Sequence, residues 1–119
     1  MFKDTILWVG DTLPSGVIKR LESAGYAVLY ARIREALAVL FVNRSIDAVV
    51  VSPGSSSASD TLMLVRGLRA IRRDVPMFVV TRSDEAAAKM SSVNGCAVVG
   101  DDVEQLLPEL SSAMLKPAV

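Results

Sequence analysis

Asp47-Ala48-Val49-Val50-Val51-Ser52-Pro53-Gly54 is the stretch on which the fold turns. A β-branched run that stops abruptly in Ser-Pro-Gly reads as a strand delivering one residue to the rim of a parallel sheet, with Pro53-Gly54 starting the turn away from it. The residue so delivered is Ser52.

Working outward from this strand, short β-type runs alternate with helical periodicity. Thr5–Val9 is a first strand, apolar on both faces as a central parallel strand should be. Pro14 can open a helix that runs to about Ala24, with Val17, Ile18 and Leu21 on one face and Gly25 ending it. Tyr26–Tyr30 is the second strand. Arg34–Asn43 is the second helix, with Leu37 and Leu40 or Phe41 pointing inward. Ile46–Val51 forms the third strand.

The polar loop Ser52–Ser59 leads into a helix from about Asp60 to Arg73, where Leu64, Val65, Leu68 and Ile71 make the buried stripe. Met77–Thr81 is the fourth strand. Ser83 can cap a short helix whose first turn carries Asp84 and Glu85, the charge favoured by the helix dipole, and Asn94-Gly95 closes it. Cys96–Val99 is the fifth strand. Val103–Leu115 is a final helix with Val103, Leu106, Leu107, Leu110 and Met114 on one side.

Five strands alternating with five helices predict an α/β fold over a single domain, residues 1–119: a flavodoxin-like, doubly wound parallel sheet in the order 2-1-3-4-5. Its ligand site lies beyond the carboxyl ends of the strands. That rim gathers Gly10, Asp11, Ser52, Thr81, Arg82, Gly100, Asp101 and Asp102.

Composition removes several classes of function. Thirteen basic and thirteen acidic side chains cancel, so no general pull on nucleic acid or an anionic membrane is expected. One cysteine, Cys96, and no histidine exclude an intrachain disulfide, Cys/His metal sites, and Cys-His or Ser-His-Asp catalysis. No apolar run reaches the ~18 residues of a membrane span. The expected setting is soluble and cytoplasmic, with no metal and no cofactor.

The joint order of several pieces resembles response-regulator receiver (CheY-like) domains from Ile6 to about Leu115. These pieces are Ile6-Leu-Trp-Val9, Leu21-Glu-Ser-Ala-Gly25-Tyr26-Ala-Val28, Ala31, Glu35-Ala-Leu37, Asp47 five residues before Ser52, Pro76-Met-Phe-Val-Val-Thr81 and Asn94-Gly95-Cys-Ala97. The resemblance implies five working side chains: two acids after strand one that hold Mg²⁺, an aspartate ending strand three that takes the phosphoryl group, a Ser or Thr ending strand four, and a Lys ending strand five. The chemistry needs them together, since clustered carboxylates and a phosphate require positive charge to offset their repulsion.

Here Gly10 and Asp11 stand where the acid pair would be, Ser52 replaces the nucleophile, and Thr81 matches. Gly100, Asp101 and Asp102 occupy the end of strand five, and none is lysine. Val98 and Val99 fill the stretch that usually holds an aromatic switch residue. The expectation is a degenerate receiver in which Gly10, Asp11, Ser52, Thr81 and Asp102 line a vacated phospho-site and nothing is catalytic. Without histidine, Ser52 lacks a base to activate it unless Asp11 serves.

Ala86-Ala-Ala-Lys-Met-Ser-Ser-Val93 is small and weakly charged, and the resemblance implies a docking face on helix four, strand five and helix five. Ala87, Met90, Val93, Leu106 and Leu110 are its candidate contacts with a signalling protein or a second copy, as in a homodimer. The function expected is phosphorylation-independent protein interaction in two-component-type signalling, without nucleic acid or membrane partners. The alternative is a sensor of a small anionic ligand or nucleotide in the vacated rim.

Overall fold

The computed structural model describes residues 4–12, 15–54, 56–91, 93, 96–100 and 103–114. Five strands are present: β1 Asp4–Gly10, β2 Tyr26–Ala31, β3 Ala48–Ser52, β4 Met77–Val80 and β5 Cys96–Val99. They pair in parallel in the order β2-β1-β3-β4-β5. Five helices connect and follow them: α1 Ser15–Ser23, α2 Ala36–Val42, α3 Ala58–Ile71, α4 Asp84–Met90 and α5 Val103–Met114. This is the expected flavodoxin-like topology.

Strand pleating divides the core in two. Leu7, Val9, Val49, Val51, Met77 and Val79 turn to one face, where Ala36 and Leu40 of α2, Val65 and Leu68 of α3 and Met90 of α4 cover them. Ile6, Trp8, Ala48, Val50, Phe78 and Val80 turn to the other, under Leu21 of α1 and Leu106 and Leu110 of α5. Burying each Leu, Ile or Val is worth about 1.5–3 kcal/mol, so the double coverage explains why β3 is uniformly apolar rather than alternating. Trp8 lies within this core, as expected.

Local chemistry sets the helix ends. Gly25, at φ +100°, takes the left-handed conformation beyond α1. The Ser57 hydroxyl accepts from the Asp60 amide at 3.1 Å, so α3 starts at Ala58 rather than Asp60. Ser83 caps α4 as expected, its hydroxyl accepting from the Ala86 amide at 3.1 Å. Pro14 and Asn94-Gly95, placed at helix ends by the sequence, lie outside the described residues.

The second helix departs from expectation. Ile33–Glu35 form a 3₁₀ turn, and α2 proper begins at Ala36. Leu37 and Phe41 do not point inward; they are 42% and 64% exposed, while Ala36 and Leu40 are buried. Every residue of α2 is apolar, so its periodicity carries no face for a sequence reading to choose.

Candidate functional site

Parallel pairing brings the ends of β1 and β3 together, with Gly10 opposite Ser52. Gly10 is buried, and a Cβ added to it would lie 3.0 Å from the Ser52 carbonyl oxygen and 3.4 Å from the Ser52 Cβ. The Gly10 carbonyl accepts from the Tyr30 hydroxyl at 2.8 Å, which ties the rim of β1 to β2. Beyond Ser52 the chain turns through buried Pro53 and Gly54, whose φ of +59° favours glycine, and the Ser56 amide donates to the Pro53 carbonyl at 2.9 Å.

At the end of β4, the Thr81 amide donates to the Val99 carbonyl at 3.0 Å. The Thr81 hydroxyl accepts from the Ser83 amide at 3.0 Å and so organises the turn into α4. Gly100, after β5, lies beneath the Gln105 side chain, and a side chain at that position meets Gln105 Oε1. Asp101 and Asp102 lie outside the described residues.

The expected single rim pocket is divided. Ser52, Pro53, Gly54, Val80, Thr81 and Arg82 line a cavity of about 240 Å³. Asp11 lines a different one of about 480 Å³, with Arg32, Ile33, Arg34 and Ser56. Asp11 and Ser52 thus line different cavities. The arginines of the larger cavity went unread in the sequence. Their signal was present: Arg32-Ile33-Arg34 directly follows the edge strand β2, and ligands of such sheets bind beyond the carboxyl ends of the strands.

Magnesium, which the resemblance to receiver domains implies, does not fit the described residues of this rim. A hard cation wants several oxygen ligands, yet Gly10 and Ser52 supply no carboxylate and Asp11 stands beside two arginines whose charge opposes a cation. Among the described residues no three carboxylate, thiol or imidazole groups converge.

The residues chosen for a partner face are, with one exception, interior. Met90, Leu106 and Leu110 are at most 1% exposed and Val93 is buried, because the apolar stripes of α4 and α5 turn to the sheet. Ala87 is partly exposed. The outer surface on that side instead carries Asp84, Glu85, Ala88, Glu104, Gln105 and Glu109. Periodicity finds the buried side of a helix, and a partner meets the other one.

Arg66 and Arg69 of α3 and Arg72 and Arg73 just beyond it form a basic group that is partly committed within the fold. Arg69 donates to the Arg73 carbonyl at 2.7 Å, and Arg72 donates to the Arg44 and Ile46 carbonyls at 3.3 Å each. Arg72 also pairs with Asp74 at 3.2 Å. No helix among the described residues is long and apolar enough to cross a membrane.

No protein-family model matches the chain, and no curated protein matches it in sequence. Solved structures do match. A two-component response regulator from Clostridium difficile superposes with a TM-score of 0.81 at 16% identity, covering 98% of this chain and 100% of that one. The chemotaxis response regulator CheY4 of Vibrio cholerae gives 0.75 at 23% identity over 92% of this chain and 98% of its own. The HemR receiver domain from Leptospira biflexa gives 0.73 at 19% identity, with 98% of each chain covered. At such identities the likeness speaks for the backbone, and it agrees with the strand order and the rim described above: the chain has the fold of CheY-like response-regulator receiver domains.

Proposed function

We propose that this chain is a phosphorylation-independent receiver module in two-component-type signalling, a cytoplasmic protein that binds another protein and catalyses nothing. One observation carries the reading: Ser52 ends β3, and its partner position across the rim is a glycine packed against its carbonyl. Acceptance of a phosphoryl group needs an anionic nucleophile and a cation to screen it; among the described rim residues a serine stands at the end of β3, and Asp11 is the carboxylate that follows β1. Without that switch, regulation rests on partner binding, since a ligand shifts a conformation only through differential affinity.

The test is an amide NMR titration with Mg²⁺ and beryllofluoride, a mimic of the phosphoryl group, paired with intact mass after acetyl phosphate treatment. Unmoved amides at Asp11, Ser52 and Thr81 and an unchanged mass are the expected results. Saturating shifts, or an added phosphoryl mass lost at alkaline pH, would sink the reading.

A second reading has its own observation, the Arg32/Arg34 cavity of about 480 Å³. Two guanidiniums with Ser56 suit a small phosphorylated or carboxylated ligand, and Asp11 suits a hydroxyl beside it. A thermal shift across anionic metabolites that Arg32→Ala and Arg34→Ala abolish is the result this reading requires.

A further inference from the structure

The large apolar side chains exposed among the described residues are Leu29, Leu37, Phe41, Val42 and Met63. All five belong to one side of the molecule. Leu37, Phe41 and Val42 are on α2 and Met63 is on α3. Leu29 pairs with Leu7 in parallel register, so its side chain turns to the same face as Leu7, the face covered by α2 and α3. Leu37 lies against Gly67 of α3, where a Cβ would be 3.0 Å from Leu37 Cδ2. That close approach joins the two helices, and Phe41, one turn along α2 from Leu37, and Met63, one turn back along α3 from Gly67, flank it on either side.

Charge is segregated in the same way. Seven of the nine arginines fall between Arg32 and Arg73, against Glu35, Asp47 and Asp60, which leaves that stretch at +4 and the remainder at −4. Arg34 stands three residues before Leu37, Arg44 three after Phe41 and Arg66 three after Met63, and all three are exposed. Arginines thus stand at both ends of the apolar centre, outnumbering the exposed acids Glu35 and Asp60 beside it.

We infer that the α2–α3 surface is a docking site for an amphipathic helix with acidic flanks on a separate protein. This rests on the reading of the chain as an interaction module and names its surface. An apolar ridge in the partner fills the Phe41–Leu37–Met63 centre, while carboxylates beside it meet Arg34, Arg44 and Arg66. A symmetric pair of copies brings arginine borders against each other, and like charges oppose it. A head-to-tail contact between this surface and the acidic α4–α5 side builds a ring or a filament, a self-association that the test below detects. A nucleic-acid backbone satisfies the arginines but leaves exposed Leu, Phe and Met with nothing apolar to meet.

The test uses the whole ¹⁵N-labelled chain and two designed helical peptides. Both carry leucines at three- and four-residue spacing; one has glutamate flanks, the other lysine flanks. The glutamate peptide should produce saturating amide shifts around Leu37, Phe41, Met63 and Gly67, and the lysine peptide should bind roughly tenfold more weakly. Phe41→Glu and Met63→Glu, both at exposed positions, should each weaken the glutamate peptide roughly tenfold while leaving the urea midpoint near that of the parent.

Equal binding of the two peptides, or no saturating shift on this surface, overturns the inference. So does a self-association that Phe41→Glu abolishes, or a duplex DNA that occupies the surface when the peptide does not. Beryllofluoride run in parallel separates two kinds of failure. A silent rim with silent peptides removes only this surface, whereas a responding rim removes the module reading beneath it.

Discussion

Gly10 and Ser52 face each other across the β1–β3 junction so closely that a single added methyl on Gly10 would stand 3.0 Å from the Ser52 carbonyl oxygen. The rim leaves little room for a side chain at this position. Gly10→Ala should therefore destabilise the fold by about 1–2 kcal/mol through overpacking, as read from urea unfolding. Unchanged stability would show that the rim has slack. By the same geometry Ser52→Asp alone should remain unmodified in intact mass after acetyl phosphate and Mg²⁺, because one restored carboxylate still lacks its cation ligands.

Arg72 joins two loops at the opposite end of the sheet, donating to the Arg44 and Ile46 carbonyls and pairing with Asp74. Its side chain is only 17% exposed, and removing it takes a donor from the part-buried Ile46 carbonyl. Arg72→Leu should cost about 1–3 kcal/mol in urea unfolding, whereas Arg73→Leu, on the exposed side, should change little.

Pro108 sits inside α5, where it can donate no amide to the Glu104 carbonyl one turn earlier. It is exposed, so no core packing compensates. Pro108→Ala should stabilise the protein by about 1–2 kcal/mol, the helix gain being reduced by the extra freedom of the unfolded chain. Thermal unfolding checks it; a lower midpoint would mean that the proline-shaped helix fits the sheet better than a regular one.

Arg20 of α1 and Glu104 of α5 make a two-point ion pair, Nε to Oε2 at 2.8 Å and Nη2 to Oε1 at 3.2 Å. The hydrogen bond from Arg20, aided by its charge, holds the Glu104 carboxyl below its ordinary range. A carboxyl whose folded pKa is depressed stabilises the fold above its unfolded pKa, and that contribution is lost as pH falls through the folded value. Carboxyl NMR titration should show Glu104 protonating at lower pH than a free glutamate, and Arg20→Ala should return it to the ordinary range. Both groups are open to solvent, so salt should shrink the difference.

Reading and structure agree most closely where burial is two-sided. β5 spans Cys96–Val99 in both, and β1, β3 and β4 differ only at their ends, because an apolar run between two helical layers has one way to be satisfied. The caps at Ser83 and Gly25 were equally legible, since a hydroxyl before an acidic turn and a glycine after an apolar stripe act through their immediate neighbours. Met90, Val93, Leu106 and Leu110, expected on a partner face, are buried for the converse reason: helical periodicity marks the inside.

Residue identities alone determined that this chain forms a five-stranded parallel α/β sheet, that Ser52 ends its third strand, and that no histidine or second cysteine is available for catalysis. Those conclusions rest on local pattern and composition, which act along the chain. Only the tertiary structure decided that Asp11 lines one cavity with Arg32 and Arg34, and that Leu37 and Phe41 are exposed. Each is a matter of which loops and helices meet across the sheet. An all-apolar helix of seven residues has no polar side, so the face it shows to solvent is set by the neighbours it packs against.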